Sequence, residues 1–506
     1  MIRRSAIALA ALATLLVAGC GGGGESGSDE LASLAPADAP VYLESVVRPE
    51  GEQRDAIDSL ASRVGGIDDP GTAVVGQLDA GLAQSGADVN YADDIAPWLG
   101  ERAGIFFQSL EGDPPPFAVV FETTDSGAAQ DFVEKATSSS PGTEQGSYNG
   151  VDFFQDTQGS YAAGVVDDFL VFGTLDGFKA TVDASDGSSL ADSSDFEDGV
   201  SAVSADNLGL GYVDSAKAIQ AATAAMDPLQ AQALEPLLST IGSGPVTFSV
   251  GATSDEASID VSLPSGSTQL AGGDLVGRAP ADVWFAIGLQ GVGEALGGAL
   301  DSVPSIPGVG SIEDQLQQET GVDPRDVVSW MEDGYAFVAG TSEKTIAIGG
   351  VVGSSDQEAS SQAISKLQKA FQADVDAKLG PPPQGADAGF SATAPESPQG
   401  IQVGQFGDQV VGALGPGQPA ENALHPDSPL ADDPSFKAGE DALGSDFSPV
   451  AFVSLQPFFV VAEKGGQAND PDYLAAKPYL QKLDYLMMGA SGGDDRSTVR
   501  FVVGVK

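Results

Sequence analysis

The sequence predicts an α+β protein built from two tandem homologous domains, each a largely antiparallel sheet with helices packed on one side. Short apolar runs come in clusters separated by tight turns such as Asp167-Asp168. Strands joined this closely pair with one another in antiparallel fashion. The same order of apolar and polar segments recurs about 240 residues further on, which indicates an internal duplication.

The first half contains alternating apolar runs and amphipathic segments that can be assigned in order. The runs predict strands at residues 41–47, 103–108, 117–122, 151–155, 161–166, 169–173, 208–213, 246–252 and 257–263. The amphipathic segments predict helices at 53–64, 128–137, 177–184 and 196–203, two more from Ala216 and Pro228, and a short helix carrying Trp98.

The second half opens in the same way, with a strand at 283–289 and a helix at 291–303. Two proline-bearing stretches, 114–116 and 381–398, predict extended surface loops. The longer one is either a mobile arm or a tolerated insertion, and we favour the insertion.

The repeat is carried by short matches that keep their order. The tetrapeptide APAD at 35–38 returns at 279–282, each time before an apolar run, and DIAPWL at 94–99 corresponds to DVVSWM at 326–331. Four single-residue pairs extend the match, namely Asp168 with Asp408, Leu190 with Leu430, Phe196 with Phe436 and Pro236 with Pro478. We therefore expect a signal peptide at 1–19, a lipidated cysteine and flexible tether at 20–34, one repeat at 35–268, a linker at 269–274 and a second repeat at 275–506.

Cys20 is the only cysteine of the chain, and it ends the tetrapeptide VAGC after two arginines and an apolar run of about a dozen residues. That run is too short for a stable transmembrane helix but suits a secretory signal. The segment resembles the lipobox of bacterial lipoproteins, which implies cleavage before Cys20 and acylation of its sulfur. More than one acyl chain anchors a protein durably. With Cys20 lipidated, disulfides and thiolate metal sites are excluded.

The charge of the chain is strongly negative. It carries 73 Asp and Glu against 22 Lys and Arg, for a net charge of −51. Such a surface repels phosphate backbones, so we expect no nucleic-acid partner. The acidic residues are dispersed, which favours a solvated surface over a cation-binding one.

The inventory of reactive side chains argues against most catalytic centres. His425 is the only histidine, so neither a catalytic triad nor a multi-histidine metal site can be built. Ser491, in GASGG, matches the G-x-S-x-G elbow formally, but the segment joins two predicted strands and the histidine comes earlier in the chain. We therefore expect no catalytic residue.

Cofactor and metal motifs are equally weak. The glycine-rich stretch 291–297 resembles a dinucleotide turn, but the first half lacks those glycines and the parallel βαβ context is missing, so we interpret it as helix flexibility. Asp192, Asp195 and Asp198 do not have calcium-loop spacing and are typical of an acidic helix N-terminus. We expect no cofactor and no metal.

Carboxylate-only catalysis stays chemically possible, because two acids about 5 to 10 Å apart can hydrolyse glycosides. The sequence singles out no such pair among its many acids. Trp98, Trp284 and Trp330 are the only tryptophans, too few to suggest a sugar cleft. Trp98 and Trp330 recur at matching places, which favours packing roles.

Four segments carry a resemblance to a known family. These are the APAD opening before a strand, the Trp-bearing helix before a strand pair, the run VDDFLVFGTLDGFKATVD and the following SLADSSDF. They resemble the bacterial family called domain of unknown function 3352, over most of residues 35–506. The resemblance implies an exported or membrane-anchored protein and transfers no functional residues.

The leading functional hypothesis is a non-enzymatic envelope protein, anchored through Cys20 on the outer side of the cytoplasmic membrane, that binds another envelope component. The first alternative is a solute- or lipid-binding lipoprotein with a cleft or an apolar cavity under a curved sheet. The second is a carboxylate-dependent hydrolase. The expected partners are the membrane, through the lipid at Cys20, and either an envelope protein or a small ligand.

Overall fold

The computed structural model describes residues 28–85, 89–138, 142–224, 226, 244–264, 272–302, 317, 321–340, 346–373, 378–394, 397–492 and 496–506. These residues form two compact units. Unit 1 takes the described residues up to 264 together with 496–498, and unit 2 takes those from 272 to 492 together with 499–506. The described chain mixes helices with a large antiparallel sheet.

Unit 1 contains ten described strands and seven described α-helices. The strands are β1 (Val41–Val46), β2 (Leu99–Phe107), β3 (Phe117–Thr123), β4 (Thr143–Tyr148), β5 (Val151–Asp156), β6 (Tyr161–Val166), β7 (Phe169–Thr174), β8 (Gly209–Val213), β9 (Val246–Ala252) and β10 (Glu256–Pro264). The helices are α1 (Ser28–Ala32), α2 (Gly51–Leu60), α3 (Pro70–Ser85), α4 (Ser126–Ser138), α5 (Leu175–Ser185), α6 (Ser194–Ser201) and α7 (Ser215–Ala224), with π-turns at Ala61–Gly65 and Tyr91–Ile95 and a 3₁₀ turn at Leu190–Asp192.

Unit 2 follows the same plan among its described residues. Its strands are β11 (Val283–Leu289), β12 (Met331–Ala339), β13 (Ala347–Ser354), β14 (Lys378–Gly380), β15 (Ala388–Ala394), β16 (Ser397–Phe406), β17 (Gln409–Leu414), β18 (Ser448–Ser454), β19 (Leu483–Gly492) and β20 (Arg496–Val505), of which the first three residues are assigned to unit 1. Its helices are α8 (Val292–Ser302), α9 (Pro324–Val328), α10 (Gln357–Ala373), α11 (Pro419–Leu424), α12 (Pro434–Leu443), α13 (Leu455–Lys464) and α14 (Pro471–Leu480), with 3₁₀ turns at Val276–Arg278, Leu430–Asp432 and Gln467–Asn469.

The strand order is the same in the two units. Hydrogen-bonded neighbours in unit 1 run β10-β9-β8-β1-β2-β3-β7-β6-β5-β4. In unit 2 they run β20-β19-β18-β11-β12-β13-β17-β16-β15-β14. Adding ten to each strand number of unit 1 therefore gives the order of unit 2.

The expectation that helices cover only one side of each sheet is wrong. Along β3, Ala118 and Val120 pack in one buried cluster with α5 and α6, whereas Val119 and Phe121 pack in another with α3 and α4. Both faces of the central strands are thus covered. The sequence of β3 explains this coverage, because its apolar residues are nearly continuous rather than alternating with polar ones.

Three further elements differ from the sequence predictions. Residues 381–398 are not simply a surface loop, because β15 and the start of β16 lie there with Phe390 and Ala392 buried on alternate positions. Strand β4 and helix α3 had no predicted counterpart. The helix predicted from Pro228 lies outside the described residues. No helix in the described part of the chain is long and apolar enough to cross a membrane.

Candidate functional site

The two units can be compared position by position, because the sheet register defines which residues correspond. Ile105 of β2 lies between Leu43 and Val119, and in unit 2 Ala336 takes the same place between Ile287 and Gly350. Helices α4 and α10 correspond through their N-terminal aspartates, Asp125 and Asp356, each of which accepts a hydrogen bond from the backbone N–H three residues on. Trp98, just before β2, and Trp330, just before β12, also correspond.

In unit 1 the layer around Trp98 is densely filled. Trp98 is fully buried, and its ring contacts Phe121 edge-on at 6.5 Å and Phe132 at 5.3 Å between ring centroids. Its Nε1–H donates to the carbonyl oxygen of Asp94 at 2.6 Å. Leu82 of α3 completes the cluster. This layer is an ordinary close-packed core with its one polar atom satisfied.

In unit 2 the corresponding layer borders a cavity of about 420 Å³ that is partly open to solvent. It lies between the sheet and helices α8, α9 and α10, and Trp330 forms part of its wall. This volume is within the range of small-molecule binding sites. Among the described residues that line it there is no Asp, Glu, Lys, Arg or His.

Smaller side chains stand around this cavity at positions where unit 1 has larger ones. The six unit 1 residues of this kind are Ile105, Val119, Phe121, Phe132, Leu170 and Phe172, and their counterparts in unit 2 are Ala336, Gly350, Val352, Ala363, Val410 and Gly412. A Cβ built on Gly412 would meet no atom within 4 Å. The space beside Gly412, where unit 1 has the Phe172 side chain, is therefore open.

Trp330 also differs from Trp98 in its hydrogen bonding. It is only 4% exposed, yet its Nε1–H has no hydrogen-bond partner in the described part of the chain. The carbonyl of Asp326, the counterpart of Asp94, accepts instead from the Ser329 hydroxyl at 2.8 Å. Unit 1 has Pro97 at that place and so has no competing hydroxyl. A buried donor without an acceptor costs about 1 to 3 kcal/mol.

Within the described part of the chain, Tyr335 is the one titratable side chain that borders this cavity. Its hydroxyl donates to the Ala423 carbonyl at 2.7 Å, and burial raises the pKa of Tyr335 to about 12. The phenol is therefore neutral at physiological pH. The described residues of the cavity wall thus carry no charge near pH 7.

A second, polar cleft adjoins the cavity. Its volume is about 600 Å³, and it shares Met331, Gly334, Tyr335 and Val351 with the cavity wall. The other lining residues that carry charge are Asp274, Arg278, Glu294, Glu332, Asp333 and Asp408. Asp274 accepts from Arg278 Nη2 at 2.8 Å, which holds the pKa of Asp274 below its usual value, and Asp333 accepts from the Gly291 amide at 2.9 Å.

Unit 1 instead buries a charge cluster. Glu44 and Arg102 are 2% and 5% exposed and form an ion pair, with Tyr42 donating to Glu44 at 2.6 Å and Arg102 donating to Asn207 at 3.2 Å. With all of these groups paired, the cluster is a structural element. The corresponding positions in unit 2 carry Gly288 and Asp333, so no such pair forms there.

Within the described residues, the motifs singled out in the sequence do not come together in one site. Cys20 lies outside the described residues. His425 is exposed and follows α11, and Ser491 lies near the end of β19. Asp192 accepts from the backbone N–H and the hydroxyl of Ser189, both at 2.9 Å, and these bonds lower its pKa, as a helix-capping role requires.

The stretch 291–297 is not explained by helix flexibility alone. A Cβ on Gly293 would collide with the carbonyl oxygens of Val328 and Met331, so this glycine allows α8 to approach the turn before β12. The acidic residues likewise give no metal site, because the described residues contain no group of three or more His, Cys, Asp and Glu side chains arranged to hold an ion.

Comparison with known proteins places the chain in a family. No curated protein matches the sequence. Among solved structures, crystal forms IV and I of TP0453 resemble it with TM-scores of 0.25 and 0.27 and sequence identities of 11% and 10%, covering 47% of this chain in both cases and 83% and 80% of theirs. The model of a family described as "Protein of unknown function (DUF3352)" matches residues 74–503. The expected family is confirmed, and the chain belongs to DUF3352.

Proposed function

We propose that this chain is a membrane-tethered extracytoplasmic lipoprotein that binds one small apolar ligand in the cavity of unit 2 and catalyses no reaction. The observation that carries the proposal is the apolar cavity of about 420 Å³ beneath the sheet. A partly open cavity lined by apolar side chains is stabilised when an apolar molecule displaces water from it. The ligand-binding alternative is thus favoured over a scaffold whose surface alone engages a partner.

The hydrolase alternative is not supported at this cavity. Glycoside hydrolysis needs two carboxyl groups facing the bound substrate, and none of the described residues that line the cavity has one. Glu44, the most deeply buried glutamate described, is paired with Arg102 in unit 1. A buried carboxylate held in an ion pair is a poor general acid, since the nearby cation favours its charged form.

Two tandem homologous domains are the second part of the proposal, and matched hydrogen bonds support it. The amide of Leu190 donates to the Ala35 carbonyl at 2.8 Å, and that of Leu430 donates to Ala279 at 2.7 Å. Thr124 donates to Trp98 at 2.8 Å as Ser355 does to Trp330 at 3.0 Å. The shared strand order adds to these matches. Duplication followed by divergence would account for a close-packed layer in unit 1 and a cavity at the same place in unit 2.

Anchoring through Cys20 is tested by cell fractionation. Replacing Cys20 with Ser removes the sulfur that would carry the diacylglycerol, so the protein should move from the membrane to the soluble fraction. A matched variant, Ser26→Ala, lies in the proposed tether and should stay with the membrane. Retention of Cys20→Ser in washed membranes would contradict the anchor.

Ligand binding is tested by native mass spectrometry of the Cys20→Ser chain purified without detergent. We expect added mass from one co-purified apolar molecule. The further change Ala363→Phe restores the ring that unit 1 has at Phe132 and should abolish that mass. Gln362→Phe adds the same ring at an exposed position of α10 and should retain it. Added mass that persists in Ala363→Phe, or a chain that binds no apolar molecule even when one is supplied, would contradict the proposal.

A further inference from the structure

We infer that the ligand of the unit 2 cavity is a single unbranched hydrocarbon chain of about twelve carbons that lies across the strands of the sheet. This inference rests on the proposed function and specifies the shape of the apolar ligand. The course, the depth and the dimensions of the cavity lead to it.

The cavity follows one row of residues that are paired across five neighbouring strands. Ala336 of β12 lies opposite Ile287 of β11 and Gly350 of β13. Gly350 lies opposite Gly412 of β17, which in turn lies opposite Val403 of β16. All five residues line the cavity. The cavity therefore extends across the strands, from β11 to β16.

The middle of this row carries the smallest side chains. Ala336 and Gly412 are exposed although they stand on interior strands of the sheet, and a Cβ on Gly412 would meet no atom within 4 Å. In unit 1 the three central places of the row carry Ile105, Val119 and Phe172. The open space of unit 2 therefore lies over the centre of the row, with one larger aliphatic residue at each end.

One side of the cavity is set by the next residues on the same face of the sheet. Val338, Ile348 and Leu414 lie two positions along β12, β13 and β17 and pair with one another across these strands. They are larger than the residues of the row, and within the described chain they do not line the cavity. The cavity is therefore a band across the sheet and does not extend over its whole face.

The dimensions of this band match one extended chain. Neighbouring strands lie about 4.8 Å apart, so the row spans about 19 Å between its end residues and about 10 Å across its three central ones. Spread over about 19 Å, the volume of about 420 Å³ corresponds to a mean cross-section of about 22 Å². That area admits one hydrocarbon chain and not two side by side. An extended chain advances about 1.2 Å per bond, as a polypeptide does with three bonds per residue, so about 8 to 16 bonds fit.

The inference predicts how affinity depends on chain length. Binding of 1-hexanol, 1-octanol, 1-decanol, 1-dodecanol and 1-tetradecanol to the ligand-free Cys20→Ser chain is measured by calorimetry. Each added methylene that enters the cavity should tighten binding about fourfold. The affinity should level off at about twelve carbons, where the row is filled. A rise that continues unchanged to 1-tetradecanol would overturn the inference, because the row would then set no limit on the chain.

Two substitutions shorten the row from opposite ends. Ala336→Leu fills its second place and Gly412→Leu its fourth, and each leaves at most about 10 Å, or about eight bonds, open. Each variant should bind 1-hexanol as the parent does and 1-dodecanol at least about tenfold more weakly. Gly298→Leu, at an exposed position of α8 where a Cβ would meet no atom within 4 Å, is the matched control and should change neither. Unchanged 1-dodecanol binding in both variants, or an equal loss for both alcohols, would overturn the inference.

The width of the cavity is tested with a ring of the same composition. Cyclododecanol has twelve carbons and one hydroxyl, like 1-dodecanol, but its ring is about two chains wide. After correction for their partition between octanol and water, 1-dodecanol should bind at least about tenfold more tightly. Equal or tighter binding of the ring would overturn the inference and leave the proposed function standing, because an apolar molecule would still occupy the cavity. Failure of every alcohol to bind would instead contradict the proposed function.

Discussion

The layer around Trp98 in unit 1 and the layer around Trp330 in unit 2 share strand order and register but differ in what fills them. Unit 1 packs Phe121, Phe132 and Phe172 around its tryptophan, and unit 2 has Val352, Ala363 and Gly412 at the corresponding positions. The backbone topology therefore does not determine whether a cavity forms. The side chains at these three positions differ in volume, and the same strand order is compatible with a filled layer in unit 1 and a cavity in unit 2.

A second difference concerns charge. Unit 1 buries a satisfied ion pair, Glu44 with Arg102, whereas unit 2 exposes its acids along a cleft beside the cavity. Charge in unit 1 is thus part of the core. In unit 2 the charged residues line the polar cleft.

The largest expected effect is from removing the tryptophan of the filled layer. Trp98→Ala should lower the free energy of unfolding by about 3 to 5 kcal/mol, because it leaves a cavity in a close-packed core. Trp330→Ala should cost about 1 to 2 kcal/mol, since its ring already borders a void and its N–H is unpaired. Urea unfolding of both variants measures the difference. Equal costs would show that the two layers are packed alike.

The buried ion pair of unit 1 should matter nearly as much. Glu44→Gln leaves the Arg102 guanidinium buried without its carboxylate and should destabilise the protein by about 3 kcal/mol. Glu332→Gln in the cleft of unit 2 should change stability by less than about 0.5 kcal/mol, because its charge has no partner in the described chain. The same urea titrations test this pair. A costly Glu332→Gln would indicate that the cleft is structural.

Reciprocal exchange at one position should give effects of opposite sign. Phe132→Ala opens the filled layer and is destabilising, whereas Ala363→Phe fills the open one and should raise stability by about 0.5 to 2 kcal/mol. Thermal unfolding in the absence of ligand measures the gain. Destabilisation by Ala363→Phe together with intact folding of Gln362→Phe would mean that the cavity cannot accept a ring of this size.

The smallest effect is a pH dependence common to both units. Burial raises the pKa of Tyr212 in unit 1 and of Tyr335 in unit 2 to about 12, above the ordinary value of 10.0. A raised folded-state pKa contributes stability that is complete below pH 10 and is lost as the pH rises through about 12. Tyr212→Phe and Tyr335→Phe should each reduce the loss of stability between pH 10 and 12 by about 1 kcal/mol or less. An unchanged alkaline profile in both variants would show that these phenols are solvated.

Much of the strand pattern could be predicted from the sequence, because strands such as β6 and β7 are apolar runs divided by a two-residue turn. Strand β4, TEQGSY, is polar and edge-located, so it gives no such signal. Strand β15 is flanked by prolines, which are typical of loops, and the sequence therefore predicted a loop there. Helix coverage of both sheet faces could have been inferred from FAVVF in β3, which is apolar on both faces.

The cavity could not be predicted from either half alone. Val352, Ala363 and Gly412 are unremarkable as single residues. They gain meaning only when aligned with the three phenylalanines of unit 1, and the offset between the halves changes from 231 at Phe132 to 240 at Phe172. That alignment needs the sheet register, which the sequence does not display. The recurrence of Trp98 and Trp330 was the available signal, and it indicated packing in both units.

The central claim is that unit 2 holds an apolar ligand where unit 1 cannot, and a stoichiometric titration tests it most directly. The probe is N-phenyl-1-naphthylamine, an uncharged molecule whose fluorescence rises in apolar surroundings, added to the Cys20→Ser chain after extraction of any bound ligand. The account predicts one probe bound per chain, none in Ala363→Phe with Gly412→Leu, and one in Gln362→Phe. Undiminished binding in the filled variant would place the apolar site elsewhere and contradict the claim.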